Sequence, residues 1–364
     1  MILPVDRLGW LYGLLAVPVV LLPGVRPRAL GGAGLALIGL AAGASAAASG
    51  GEPTRGFVAV NAILVLAGLT AVGAAVFLAW RHGGSAVRDS LAAGQTASPS
   101  FDPFTLAGAV IVLLASQVIV LGLGAALSLV SATRSAVRSR RTLGLFPLLA
   151  AAVALGAGLG FLLTLMGPLG GGLQNLAQGP ISPAAERLLV LLIGGAALLL
   201  SGVAPLDRLA WGLALAPLAA VLLCRLVVPP FPEGLLVWQA TFMVLLAVAC
   251  SWAAFAGRWC QVAVAGGMFA IWTGSRDGIW AGAVLVTWGW LVETGVAIAW
   301  RGGVIRNPRW LGLLVLPAAL AALPALRAGL RAQVMLSTLA VAGCAAALLR
   351  VGLRGPWRQH APLY

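Results

Sequence analysis

Apolar residues in this 364-residue chain gather in long uninterrupted runs, separated by short connections rich in Gly, Pro, Ser and Arg. An α-helix rises 1.5 Å per residue, so crossing a hydrocarbon core of about 30 Å takes roughly 20 such residues. Runs of that kind lie at about 8–24, 29–49, 57–80, 105–130, 143–167, 187–204, 209–228, 235–257, 259–274, 278–300, 310–326 and 332–350. They predict an all-α, polytopic integral membrane protein with about 11–12 transmembrane helices in a single transmembrane domain over 1–364. Within it, N-terminal helices and a polar loop occupy 1–104, a core 105–300, and C-terminal helices with a basic tail 301–364.

One interruption stands out. Between apolar runs ending at Val203 and resuming toward Cys224 comes Pro205-Leu206-Asp207-Arg208. Proline removes a backbone donor and the acid and base add charge, which lipid tolerates only where protein or a water-filled cavity covers them. The pattern predicts a proline-broken helix near Pro205; a tight loop at the membrane surface fits the same residues.

Composition supports the membrane assignment. Hydrophobic residues make up 61% of the chain and charged residues 9%, with mean hydropathy +1.03, whereas soluble domains carry about 25% charge. The net charge of +14 comes from 23 arginines without a lysine. Arginine keeps its proton in proteins, so a lysine-based proton relay is excluded. The positive charge lies in short loops beside apolar spans, the pattern of membrane topology rather than of a nucleic-acid surface. Arg134, Arg138, Arg140 and Arg141 form the densest cluster, expected on the cytoplasmic side against anionic lipid. Alternate loops of the twelve-span arrangement would place both termini on that side, and the first span is expected to be retained.

Candidate chemistry is sparse. Cys224, Cys250, Cys260 and Cys344 have no CxxC spacing, so no metal site, haem, iron–sulfur cluster or other cofactor is expected. His82, in the polar stretch 81–102, and His360, in the tail, stand apart from other ligand types. Glu293 stands in the apolar run Thr287–Trp300, where a carboxylate costs a few kcal/mol unless it is protonated, paired or facing a polar cavity. Its length places Glu293 away from either end of the span, with Arg225 or Arg276 as possible partners. Gln117 falls inside another run and reads as a hydrogen-bonding group, either on a polar path or between helices. Gly39-x-x-x-Gly43 and Gly156-x-x-x-Gly160 offer surfaces for close helix packing, and tryptophans at span ends read as an aromatic belt.

Taken in order, residues 106–293 resemble the antiporter-like membrane subunits shared by respiratory complex I, energy-converting hydrogenases and Mrp-type cation/proton antiporters. The run Gly122-Leu123-Gly124-Ala125-Ala126-Leu127-Ser128-Leu129, followed by the arginine cluster, is similar to the family's Gly-Leu-Glu-Leu-x-Ser-Leu-like motif and basic loop. Leu200 to Asp207 with Ala216-Pro217 resembles its broken helix, and Gly289 to Glu293 its later His-x-x-x-Lys pair. The departures matter: the family's glutamate falls on Ala125 or Ala126, its broken-helix lysine on Leu200, the following histidine on Asp207 and the later lysine on Glu293. The resemblance therefore implies a degenerate, shortened relative without a redox centre, in a multi-pass prokaryotic inner membrane, with other membrane subunits as partners. Its function would be structural, or a residual proton path through Glu293, Asp207, Arg208 and Gln117, with Pro205 at the helix break. The alternative is a stand-alone secondary transporter with a substrate site at that break. A membrane enzyme ranks last, because no convergent catalytic set is visible.

Overall fold

A computed structural model describes residues between 108 and 293, apart from 110, 114, 116, 139–144, 168–180, 204–212, 214, 228–230, 276–277, 280, 284, 288 and 291. Among the described residues the chain is helical and carries no strand. The helices are α1 (Val118–Arg138), α2 (Leu145–Met166), α3 (Pro183–Leu200), α4 (Ala216–Leu222, continued by a π-turn at Leu223–Val227), α5 (Pro232–Ala256) and α6 (Trp259–Trp272). The described residues of 108–113 and of 278–293 are helical too. Among the described residues three helices, α2, α3 and α5, are long and apolar enough to cross a membrane.

Local sequence explains several ends. α3 starts at Pro183, whose missing N–H costs nothing in the first turn, and Ser182 caps it by accepting the Ala185 N–H at 3.4 Å. α5 also begins at a proline and stops at Gly257, whose φ of 72° reverses the chain while the Arg258 N–H bonds back to the Ala253 carbonyl at 2.8 Å. Ser275 opens the 278–293 segment by accepting the Gly278 N–H at 3.0 Å.

Two expected spans are altered. Residues 105–130 do not form one helix: Ala115 is outside helical conformation, and 108–113 folds back on α1. A Cβ on Gly124 would lie 2.8 Å from Ile111 Cβ and 2.9 Å from the Gly108 carbonyl, so small residues permit this hairpin. Among the described residues of 209–228, Leu213 and Leu215 are in turns and helix begins at Ala216, while α6, 14 residues and about 21 Å long, fills most of the expected 259–274. Apolar composition sets which residues avoid water, but tertiary packing decides how far a buried helix extends.

Packing is sequential and in register. α1 lies on α2, α2 on α3, and α3 on both α4 and α5; α6 covers α5 and touches α4. Glu186 of α3 meets Gly234 of α5, and two turns on Gly194 meets Phe242, so α3 and α5 run parallel. α6 returns antiparallel to α5, with the Gln239 side chain donating to the Trp272 carbonyl at 2.8 Å and the Cys250 thiol to the Val262 carbonyl at 3.8 Å. Gly267 faces Gly282 and Gly289 faces Cys260, so the 278–293 segment runs antiparallel to α6.

One packing expectation is corrected. Gly156 and Gly160 are exposed and a Cβ on either would meet nothing within 4 Å, whereas Gly158 between them packs on Ile193. One turn of α2 can present only one flank to α3. Trp272 and Trp290 lie in the core, 0% and 2% exposed, while Trp259 is half-buried at the start of α6 and Trp300 lies outside the described residues. Trp272 stacks on Phe242 at 4.3 Å with its ring against Gly194. Gly39, Gly43, His82, Cys344 and His360 lie outside the described residues.

Candidate functional site

The register just described brings four chain ends together. Parallel α3 and α5 finish at the same end of the bundle, α6 starts there, and the 278–293 segment climbs back to it. Four residues beyond the Gly289–Cys260 contact, Glu293 arrives beside the turn that joins α5 to α6. Its side chain is buried, 9% exposed. The Leu213 backbone N–H donates to its carboxyl, and the Arg258 guanidinium and the Cys260 thiol are within electrostatic reach.

Arg258 is held by its own neighbours. Its Nη1 donates to Gln261 Oε1 at 3.4 Å, and Gln261 Nε2 donates to the Gly202 carbonyl at 3.3 Å. Gly202 has φ of 70° and follows the last residues of α3, where the buried Ser201 hydroxyl donates to the Leu198 carbonyl at 2.6 Å. A polar chain thus runs from the helix end at Gly202, through Gln261 and Arg258, to Glu293 and on to Leu213. These contacts answer the open backbone groups left where α3 stops and α4 has yet to begin.

A second polar point lies at the interruption before α1. The π-turn swings Arg225 toward residues 108–117, and its Nη2 donates to the Ala115 carbonyl. That carbonyl lies between the 108–113 helical stretch and α1, and the guanidinium satisfies it there. Gln117, half-buried, stands on the other side of the interruption, its carbonyl accepting the Leu121 N–H at 3.1 Å. Gln117 therefore belongs to a helix break rather than to the middle of a span.

The proposed residues fare differently. Glu293 is buried, yet it stands level with the end of α5 rather than at the centre of the bundle. Of its two suggested partners, Arg225 engages Ala115, and Arg276 lies outside the described residues. Arg258 takes that place. Its position beside Trp259 resembles an ordinary interfacial arginine, and only the α5–α6 reversal turns it inward. Gln261 gave no sequence signal beyond being a polar residue in an apolar run. Pro205, Asp207 and Arg208 lie outside the described residues, as do Arg140 and Arg141; Arg134 is exposed near the end of α1. Among the described residues Cys224, Cys250 and Cys260 form no disulfide with one another, and no group of three His, Cys, Asp or Glu side chains could hold a metal ion.

No protein-family model matches the chain, and no curated protein matches it in sequence.

Proposed function

We propose that this chain is an antiporter-like subunit of a complex I-like, ion-translocating membrane assembly, with a residual polar path whose mouth is Glu293. The carrying observation is the burial of Glu293 against the Leu213 N–H, beside the break between α3 and α4, with Arg258 alongside. An acid kept inside an apolar bundle and joined to interrupted backbone is the arrangement that ion pathways use. The order of the family-like stretches adds support: Gly122–Leu129 lies in α1 ahead of the arginine cluster, Leu200 ends α3, and Glu293 closes the last described segment. The loss of most of the family's proton-carrying positions makes the path residual. In this proposal about 11–12 helices cross a prokaryotic inner membrane, with other membrane subunits as partners and anionic lipid at Arg134, Arg138, Arg140 and Arg141.

The test is Glu293→Gln in the intact assembly recovered from its native membrane. Ion translocation should fall at least about ten-fold, as for loss of an essential protonatable group, with subunit composition unchanged. Unaltered translocation would leave Glu293 a structural residue.

A second function has its own observation. Two interruptions, at Ala115–Gln117 and after Leu200, each lie against an ionisable side chain, Arg225 and Glu293 respectively. Discontinuous helices facing charged groups also build substrate sites in secondary transporters. Mild-detergent purification separates the two: a subunit comes out with hydrophobic partners, a transporter as a monomer or homo-oligomer that transports when reconstituted alone.

A further inference from the structure

The outer face of α5 is bounded by charge at both ends. Exposed Glu233 stands in its first turn and half-buried Arg258 just past its last. Between them that face carries no charge, and Leu236, Val244, Val248 and Phe255 stand open on it. From Glu233 to Ala256, 24 residues, the helix measures about 36 Å. That length carries both charged ends past a hydrocarbon core of about 30 Å.

Aromatic rings sit just inside each limit. Half-buried Trp238 follows Glu233 by little more than a turn, its indole N–H donating to the Arg187 carbonyl at 2.9 Å. Exposed Trp252 and Phe255, 6.5 Å apart, come just before Arg258. Tryptophan favours the layer where headgroups meet hydrocarbon, since its ring is apolar and its N–H polar. α3 marks the same starting layer. There Ser182 and Arg187 are exposed, and the Glu186 carboxylate accepts the Gly234 N–H at 3.3 Å; from Leu188 to Leu200 no charged residue follows.

The level of Glu293 can be read against these limits. A Cβ on Gly289 would stand 2.9 Å from the Cys260 carbonyl, and Glu293 lies about 6 Å further along a segment heading for the α5–α6 turn. It therefore stands level with Arg258 or beyond it, well away from the mid-helix contact of Gly194 with Phe242.

We propose that phospholipid covers the face of α5 from Leu236 to Phe255, with the bilayer midplane near Val244, and that one headgroup layer crosses the bundle at Arg258 and Glu293. The carboxyl then meets water from one side of the membrane rather than from the bilayer interior. What it exchanges there rests on the polar path proposed above, but the position of the boundary does not.

Nitroxide labels on single cysteines read that position. With Cys224, Cys250, Cys260 and Cys344 replaced by Ala, Leu236→Cys, Val244→Cys and Phe255→Cys are labelled in the full chain. Each variant is reconstituted, with any proteins that co-purify, in phosphatidylcholine vesicles. Oxygen concentrates in hydrocarbon and a polar nickel chelate stays in water, so the ratio of their collision rates with the label reports depth. The ratio should be highest at Val244 and fall toward both Leu236 and Phe255. A maximum at Phe255 would put Glu293 inside the hydrocarbon, and one at Leu236 would leave the Phe255 end out of the membrane; either overturns the boundary. A low ratio at all three sites means that protein or water covers α5, and overturns it as well. Val237→Cys, Leu245→Cys and Trp252→Cys lie beside the same three levels and replace any variant that fails to insert. A maximum at Val244 together with unaltered translocation in Glu293→Gln upholds the boundary and removes the path.

Discussion

Trp272 shows how much one side chain can organise. Its ring is fully buried, stacked on Phe242 at 11° to its plane, with the edge of the ring against Gly194. Aromatic stacking of this kind is worth about 0.5–1.5 kcal/mol beyond the area it buries. Only a glycine fits beneath, since a Cβ at 194 would stand 2.8 Å from two ring carbons, whereas a Cβ at Gly195 would meet nothing within 4 Å. Gly194→Ala should therefore destabilise the bundle by about 1–3 kcal/mol through overpacking. Gly195→Ala should leave stability level or slightly raised, because alanine is the better helix former. Thermal unfolding of the two purified variants in mild detergent makes the comparison; equal midpoints would mean that Trp272 moves aside at no cost. The Gly194-Gly195 pair is plain in the sequence, but which glycine faces a partner depends on where α5 and α6 bring Phe242 and Trp272.

At the scale of elements, the decisive contact is the crossing of α6 with the 278–293 segment. Gly267 approaches the Gly282 carbonyl and the Val286 backbone nitrogen so closely that a Cβ would stand 2.7 and 2.8 Å from them. Backbone cannot rotate away as a side chain can, so Gly267→Ala should separate the two helices, costing about 1–3 kcal/mol. Gly266→Ala, one residue earlier with nothing within 4 Å, is the matched control and should be neutral or slightly stabilising. Because this crossing also carries Glu293 to Arg258, the proposed polar path implies that Gly267→Ala lowers any ion translocation by the assembly along with the unfolding midpoint. A lowered midpoint with full translocation would separate the crossing from the path. Sequence reading found small residues worth noticing at Gly156 and Gly160, on a helix flank that meets no neighbour within 4 Å. It passed over Gly267, Gly282 and Gly289, since a glycine spacing records that helices can approach and not which helices do.

At the scale of the molecule, the apolar helices keep apolar side chains on their outer faces as well as their inner ones. α5 exposes Leu236, Val237, Val244, Leu245, Val248 and Phe255, while its Phe242, Leu246, Ala249 and Cys250 are buried. Both faces are apolar, as expected where hydrocarbon replaces water outside and protein fills the inside. Val244, 62% exposed near the middle of α5, is a suitable probe. Val244→Arg should oppose insertion by about 2.5–3.5 kcal/mol on the translocon scale, reducing the membrane-integrated fraction of newly made chain. Val244→Leu should integrate like the original. Full integration of the arginine variant would mean that this face of α5 meets protein or water instead of lipid.

The sequence by itself determined the apolar character of the chain and the class of secondary structure. A chain with so few charges and such long apolar runs can satisfy its backbone in lipid only by closing hydrogen bonds within each segment, so helices follow from composition. It also singled out Glu293, because an acid in an apolar run is costly enough to be conspicuous. The tertiary structure alone decided which helices stop short, that 108–113 folds back on α1, that Arg225 reaches Ala115, and that Arg258 and Gln261 stand beside the acid. Those outcomes depend on register between segments far apart in the chain, set by interlocking glycines and rings. Hydropathy measures a residue's preference for water or lipid, and in lipid every apolar face scores alike, so the choice among neighbours passes to shape.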